Sequence, residues 1–349
     1  MSHTKGGLRL PAITCASLLL ALAAALPAAA WERGDVETFA VLPDGATGPE
    51  GITLGPDGVY VSTFGFTRTG PVAGPGKIYV LRENDGRLLR QISVAGSSAQ
   101  LLGLAFHPST HALLVIDFGS AKVFNVDPQT GAASLFTSIP GAGLNALTFD
   151  QAGNVYISDS GGGKIWKTGA GGGAATAWVT SPDLLPNGVP PFGANGLGFN
   201  KNESALFVAN TATDQIIKIP VAAGAPGTPA VYVNSVNGAD GLVLDRNDNI
   251  WVAANQSDEI VVLDPSGKAI AKLGDFEGLS RRGVPRGLLF PASPVFSKDR
   301  QWLYVTNLAL DIRLFGLPQS DVSQYAGQVK RYTVSKLRAR IPSLRDDDD

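Results

Sequence analysis

The chain has 349 residues, 44% hydrophobic and 17% charged, and its net charge of -2 gives no electrostatic ground for a nucleic-acid or anionic-membrane partner. Its 42 glycines and 23 prolines, without a collagen period, point to many tight turns and a β-rich fold. A single cysteine, Cys15, excludes a framework of internal disulfides.

Residues 1–30 read as a secretory signal peptide. Lys5 and Arg9 precede an apolar run that closes on Ala28-Ala29-Ala30 before Trp31. Cleavage after about Ala30 places the mature chain in the periplasm or outside the cell. It would then carry no thiol and no membrane segment, so that its core or a metal must stabilise it. The expected organisation is one domain over 31–340 and a solvated, mobile tail over 341–349, which ends in four aspartates.

The first strand expected after the leader is VETFAVL, Val36 to Leu42. A phrase then recurs six times: PEGITL from Pro49, LLGLAF from Leu101, LNALTF from Leu144, ANGLGF from Ala194, ADGLVL from Ala239 and PRGLLF from Pro285. The repeats lie 43 to 52 residues apart, the period of a propeller blade. A polar turn and a second β-rich run follow each phrase, as in DGVYVSTF and DNIWVAAN, and most units add a third run such as GKIYVL or DEIVVL. Nothing longer than a turn reads as helix. The fold class is therefore an all-β, six-bladed propeller with four-stranded blades. VETFAVL has no blade of its own, and the last unit lacks an outer strand. Val36–Leu42 is expected to pair with Gln328–Val334 and complete the final blade.

The first strand of a propeller blade lines the central channel, which puts the second residues of the six phrases in one ring: Glu50, Leu102, Asn145, Asn195, Asp240 and Arg286. Four are oxygen donors. Two carboxylates and two carboxamides in a low-dielectric channel repel unless a positive charge lies between them. Oxygen-only ligands select a hard divalent cation, calcium first, and the lack of Cys and His in the ring disfavours zinc or copper. Leu102 is expected in the channel wall. Arg286 is expected either to hold an anionic part of a substrate or to balance a neighbouring acid. The loop SPDLLPNGVPPFGAN leads into Asn195, so that Phe192 and its prolines are candidates for an apolar substrate wall. FTRTGPVAGPGK from Phe66 is a second candidate overhang. His107 and His111 sit in a turn and suggest no His mechanism. Asn255-Gln256-Ser257 fits a glycosylation sequon.

These phrases, with GPEGI at Gly48 and ADGLVLDRNDNIWVAANQSDEIVVLDP from Ala239, resemble the senescence-marker-protein/gluconolactonase family over about Pro49 to Asn307. More distantly they resemble squid-type diisopropyl fluorophosphatase, the paraoxonases and strictosidine synthase. The family resemblance implies a divalent metal held by Glu50, Asn145, Asn195 and Asp240, with Asp240 as base or nucleophile in lactone hydrolysis. The sugar-lactone members carry an arginine two residues before the first asparagine. Here that position is Gly143, which breaks the pattern for sugar acids. Three functions follow as expectations: a hydrolase of lactones or related esters acting on a small molecule, a non-catalytic binding propeller with a structural calcium ion, and a phosphotriesterase-like hydrolase.

Overall fold

The computed structural model describes residues 1–3, 33–67, 70–317 and 321–341. The chain divides into two units, Met1–Ala30 and Trp31–Asp349. Most of the first, and with it the expected leader, lies outside the described residues, as does most of the expected tail. All that follows concerns the second unit.

Among the described residues the alternating runs form six antiparallel sheets, arranged as the blades of a propeller. Blade 1 is Gly48–Leu54, Val59–Phe64, Lys77–Leu81 and Leu88–Ser93; blade 2 is Leu101–Phe106, Leu113–Asp117, Lys122–Val126 and Ala133–Ser138. Blade 3 is Leu144–Phe149, Val155–Asp159, Lys164–Gly169 and Gly172–Thr180. Blade 4 is Ala194–Phe199, Ala205–Asn210, Gln215–Ala222 and Ala230–Val233, with a short extra pairing at Ala225–Pro226. Blade 5 is Ala239–Leu244, Ile250–Ala254, Glu259–Leu263 and Ala269–Leu273.

Blade 6 closes the ring. Three of its strands, Pro291–Phe296, Trp302–Asn307 and Thr333–Arg338, come from the end of the chain, and Val36–Val41 pairs antiparallel with the last of them as the outermost strand. The expected closure by the N-terminal strand is present. Its partner is Thr333–Arg338 rather than Gln328–Val334, because the chain first makes an excursion that includes a short helix, Asp321–Ala326, which strand periodicity did not announce.

The sixth phrase is also displaced. Pro285–Gly287 pairs with Phe276–Leu279 in a two-stranded hairpin ahead of blade 6, and the inner strand of that blade is PASPVF, Pro291–Phe296.

The blades bury one face against each neighbour. Tyr156 and Ile165 of blade 3 pack with Leu197, Leu206 and Val208 of blade 4, and Phe207 and Ala209 of blade 4 pack with Leu242 and Val252 of blade 5. Full burial of each such Leu, Ile or Val contributes about 1.5–3 kcal/mol. Near the axis no room remains for side chains between blades. A Cβ on Gly241 would fall 2.6 Å from the Ala292 carbonyl oxygen and 2.7 Å from Ser293 Cα, and one on Gly196 would fall 2.5 Å from the Asp240 carbonyl oxygen. The glycine that follows the ring residue is thus where the next blade's backbone passes.

Gly241→Ala should accordingly lower stability by about 2 kcal/mol, read as a fall in melting temperature of several degrees. Gly169→Ala, where an added Cβ meets nothing within 4 Å, should leave the melting temperature within about a degree of the parent.

Candidate metal centre

Each inner strand begins with the same irregularity. Pairing with the second strand slips between Pro49 and Ile52, Leu101 and Leu104, Leu144 and Leu147, Ala194 and Leu197, Ala239 and Leu242, and Pro291 and Pro294. A bulge at this point frees the residue after the last ladder partner before the slip from the pleat and re-aims it. The residues so placed are Glu50, Leu102, Asn145, Asn195, Asp240 and, in blade 6, Ala292.

Arg286 is therefore not a ring member. It lies in the preceding hairpin, exposed, and donates from Nη2 to the Glu277 carbonyl at 3.1 Å. The phrase PRGLLF copies the repeat in sequence only, and the structure gives neither of the expected roles a place at the channel.

The other expected residues converge. Glu50, Leu102, Asn145, Asn195 and Asp240 line one small chamber, together with Phe192 and Pro190 from the loop before blade 4. Glu50, Asn145, Asn195 and Asp240 are 4%, 4%, 5% and 4% exposed, so their polar atoms must find partners within the protein or a ligand. Several do not find them internally. Glu50 Oε2, Asn145 Oδ1, Asp240 Oδ1 and Asn255 Oδ1 are buried without a hydrogen-bond partner. Among the described residues neither carboxylate makes an ion pair.

Two residues that sequence reading did not assign to the site orient it. Asn255 Nδ2 donates to Asp240 Oδ2 at 3.0 Å. Thr211 Oγ1 donates to the Ala239 carbonyl at 2.7 Å, so it accepts from Asn195 Nδ2 at 3.0 Å and fixes the face of that carboxamide. Both stand one residue past the second strand of their blades. Ser160 occupies the corresponding place in blade 3 and holds the Ala194 carbonyl at 2.7 Å. Aligning the ends of the second runs (SDS, ANT, AAN) would have brought these side chains into view. Asn255, 1% exposed and bonded to Asp240, is not presented for glycosylation in the folded chain.

Burial raises the Glu50 carboxyl well above its ordinary range, and the charge on Asp240 adds to the effect. Burial pushes Asp240 up to about 7, against hydrogen bonds from Asn255 and Asn195. The donor set is all oxygen and carries two formal negative charges, with unpartnered atoms facing one space. It fits a hard divalent cation, held by Glu50, Asn145, Asn195 and Asp240. Among the described residues no group of three or more His, Cys, Asp or Glu is placed to hold a metal, and carboxamides complete this set in place of further acids.

Other sequence features resolve as structure. Nε2 of buried His107 lies 2.8 Å from the Gly153 carbonyl, and its Nδ1 accepts from Ser109 N and Thr110 N at 3.2 Å, so the ring is occupied in holding its turn. Asp245 accepts from Asn247 N, Asn249 N and the Trp251 indole, which makes DRNDN a clasped turn. Gly143 N donates to Asp159 at 2.9 Å, and an added Cβ would meet Gly161 N at 3.2 Å and the Phe118 ring at 3.5 Å. Further along the inner strands lies a separate cavity of about 670 Å3.

Residues 191–308 match the family model described as SMP-30/Gluconolactonase/LRE-like region, a span that holds Asn195 and Asp240. No curated protein matches the chain in sequence. Among solved structures, regucalcin from Agrobacterium tumefaciens, described as a calcium-binding protein, is 19% identical, covering 88% of this chain and 98% of its own with a TM-score of 0.59. A gluconolactonase from Xanthomonas campestris is 15% identical over 86% and 98%, with a TM-score of 0.53. Virginiamycin B lyase from Staphylococcus aureus, with quinupristin, is 11% identical over 87% and 99%, with a TM-score of 0.52. At these identities the structures show the shared propeller. Together with the family model they bear out the resemblance carried by the Asn-Gly and Asp-Gly phrases.

One buried acid beside the chamber yields a test that needs no metal. Asp258 accepts from Phe290 N at 2.6 Å, and Phe290 is a chamber wall. Burial pushes the Asp258 carboxyl up to about 7, with the charges of Asp275 and Glu259 adding to it. A carboxyl raised on folding binds its proton more tightly in the folded state. Its contribution is fully present below the unfolded value near 3.9 and is lost as pH rises through about 7. Asp258 has φ 53°, a conformation asparagine tolerates. Asp258→Asn should match the parent in stability near pH 4 and exceed it by on the order of 2 kcal/mol at pH 8, measured by urea denaturation across that range.

Proposed function

We propose that the chain is an exported, metal-dependent hydrolase of lactones or related esters, with calcium as the metal. The observation that carries this reading is the set of buried, unpartnered oxygens of Glu50, Asn145 and Asp240, facing a chamber at the propeller axis. A scaffold has no need of convergent oxygens left without hydrogen bonds, since each buried unsatisfied group costs about 1–3 kcal/mol. The calcium-binding description of regucalcin and the gluconolactonase likeness support the metal and the reaction class. Export rests on the leader pattern of residues 1–30.

A bound divalent cation would neutralise the two carboxylates and polarise a substrate carbonyl. The remaining work falls to side chains of this chain. Asn145 presents an unpartnered carboxamide oxygen without adding charge, and Asn195, held through Nδ2 by Thr211, is the second neutral side chain of the ring. Asn255 holds one oxygen of Asp240, which leaves the other turned to the chamber. As a base, Asp240 takes a proton from the water that attacks the carbonyl carbon. The ring C–O bond then breaks, and the departing oxygen gains a proton to give a hydroxy acid. As a nucleophile, Asp240 forms an acyl intermediate that water cleaves. Phe192 and Pro190 keep bulk water from the chamber.

A second reading, a non-catalytic propeller with a structural calcium ion, is favoured by one observation: the chamber encloses only about 30 Å3. A phosphotriesterase-like activity uses the same donors and is separated by substrate alone.

The deciding experiment uses the mature chain with a panel of aliphatic, aromatic and sugar lactones and a phosphotriester, metal-free and with added calcium. Calcium should raise the melting temperature by several degrees and be required for turnover. Glu50→Gln should abolish most of the calcium-dependent rise. Asp240→Asn should lower kcat at least a hundredfold on whichever substrate is active. A full thermal response with no turnover on any substrate would favour the structural-calcium reading.

A further inference from the structure

Apart from its polar residues, the chamber around the ring is walled by apolar groups: Phe64, Leu102, Pro190, Phe192, Phe290 and Leu310 among them. Its volume, about 30 Å3, accommodates one or two water molecules and no organic substrate. A substrate must therefore displace part of this wall, and the groups behind the wall decide what enters.

Behind it three segments far apart in sequence bring aromatic rings into one cluster. Phe66, in the short hairpin between the second and third strands of blade 1, stacks on Phe64 at 5.8 Å and on Phe315 at 5.5 Å. Phe315, in the excursion within blade 6, meets Phe192 edge-on at 5.9 Å. Phe118 meets Phe64 edge-on at 6.1 Å and lies 3.5 Å from where a Cβ on Gly143 would stand.

On the far side of Phe64, Leu308 and Leu310 lies a second cavity of about 410 Å3, large enough for a small ligand. The same three residues line both cavities, so they form a common wall. Among the described residues the second cavity is otherwise bounded by the apolar Phe66, Ala309, Leu314, Ala326 and Val329, and by Gly48, Thr67, Asp311, Gly327 and Tyr332. Its carboxylate, Asp311, is engaged with Arg313 at 2.6 Å, and Thr67 Oγ1 donates to the Gly70 carbonyl at 3.2 Å.

We propose that the substrate of this site is an apolar lactone or ester whose carbonyl lies at the oxygen ring and whose hydrocarbon tail occupies the cavity behind Phe64, Leu308 and Leu310. This rests on the hydrolase reading for its chemistry, while the placement of the tail rests on the cavity alone. The side chains of Phe64, Leu308 and Leu310 rotate at low cost compared with backbone. A hydroxylated sugar lactone would leave hydroxyls without partners against phenylalanine and leucine, each costing about tenfold in binding or more. An added methylene on an apolar tail gains about threefold to fourfold while it remains in the cavity.

The test has a binding arm and a turnover arm. Straight-chain alkanoates of four to ten carbons are titrated calorimetrically into the mature chain with calcium present. Affinity should rise about threefold to fourfold per carbon until the cavity fills. Leu314→Trp, which occupies the cavity, should flatten that rise, while Leu135→Trp at an exposed position should retain it. In the turnover arm, kcat/KM should climb with tail length on alkyl lactones and exceed that for sugar lactones of equal ring size at least tenfold. Affinity independent of chain length, an unaltered slope in Leu314→Trp, or sugar lactones turned over as well as apolar ones would overturn the inference. Chain-length-dependent binding without hydrolysis of anything would overturn the hydrolase reading and leave the apolar site standing. Hydrolysis without chain-length dependence would do the reverse.

Discussion

Two carboxylates, Glu50 and Asp240, lie almost entirely out of water at the axis of the propeller, and among the described residues no lysine or arginine pairs with either. An uncompensated charge in such a place is expensive enough that a group ordinarily shifts its proton equilibrium rather than remain ionised. Here the surroundings are organised for ionised acids all the same. Asn255 donates to one, Asn195 is turned by Thr211, and several oxygens face inward with nothing to bond. The arrangement fits a hard divalent cation at the centre.

The rest of the fold serves to hold that ring. Each blade supplies one residue from the same bulged position, so the geometry of the centre depends on all six blades keeping one register. Glycines between blades let the inner strands approach until backbone meets backbone. The N-terminal strand pairs with Thr333–Arg338 and ties the two ends of the blade series together, which removes the free edge at which a ring of blades would open. Blades 2 and 6 contribute Leu102 and Ala292, which leaves the oxygen donors to the other four.

Around this polar centre the packing is strongly apolar. The phenylalanines that enclose the chamber come from a hairpin, a loop and an excursion inserted between strands, while the donors come from the repeat itself. The polar ring and its apolar enclosure thus come from separable parts of the chain, a division that lets one propeller frame present different surroundings to the same ring. Gly143 belongs to the same picture. The space that a long cationic side chain would need is bordered by Phe118 and the Gly161 backbone.

Much of this was legible without coordinates, because strand periodicity and turn composition are local properties. They gave the blades, the closing N-terminal strand and the inward placement of Glu50, Asn145, Asn195 and Asp240, since a residue's position in its own strand fixes which way it faces. Arg286 marks the limit. PRGLLF and PASPVF lie six residues apart, and only hydrogen bonding to Trp302–Asn307 decides which of them becomes the inner strand. Asn255, Thr211 and the aromatic cluster were hidden for the same reason. Their roles arise from contacts between residues remote in sequence, and no local pattern encodes which remote partner a side chain meets. By itself the sequence determined the repeating frame and the chemical nature of the ring. The tertiary structure alone decided which sixth segment reaches the axis, which polar groups go unpaired and which apolar side chains enclose the chamber, because each of these depends on how distant segments pack.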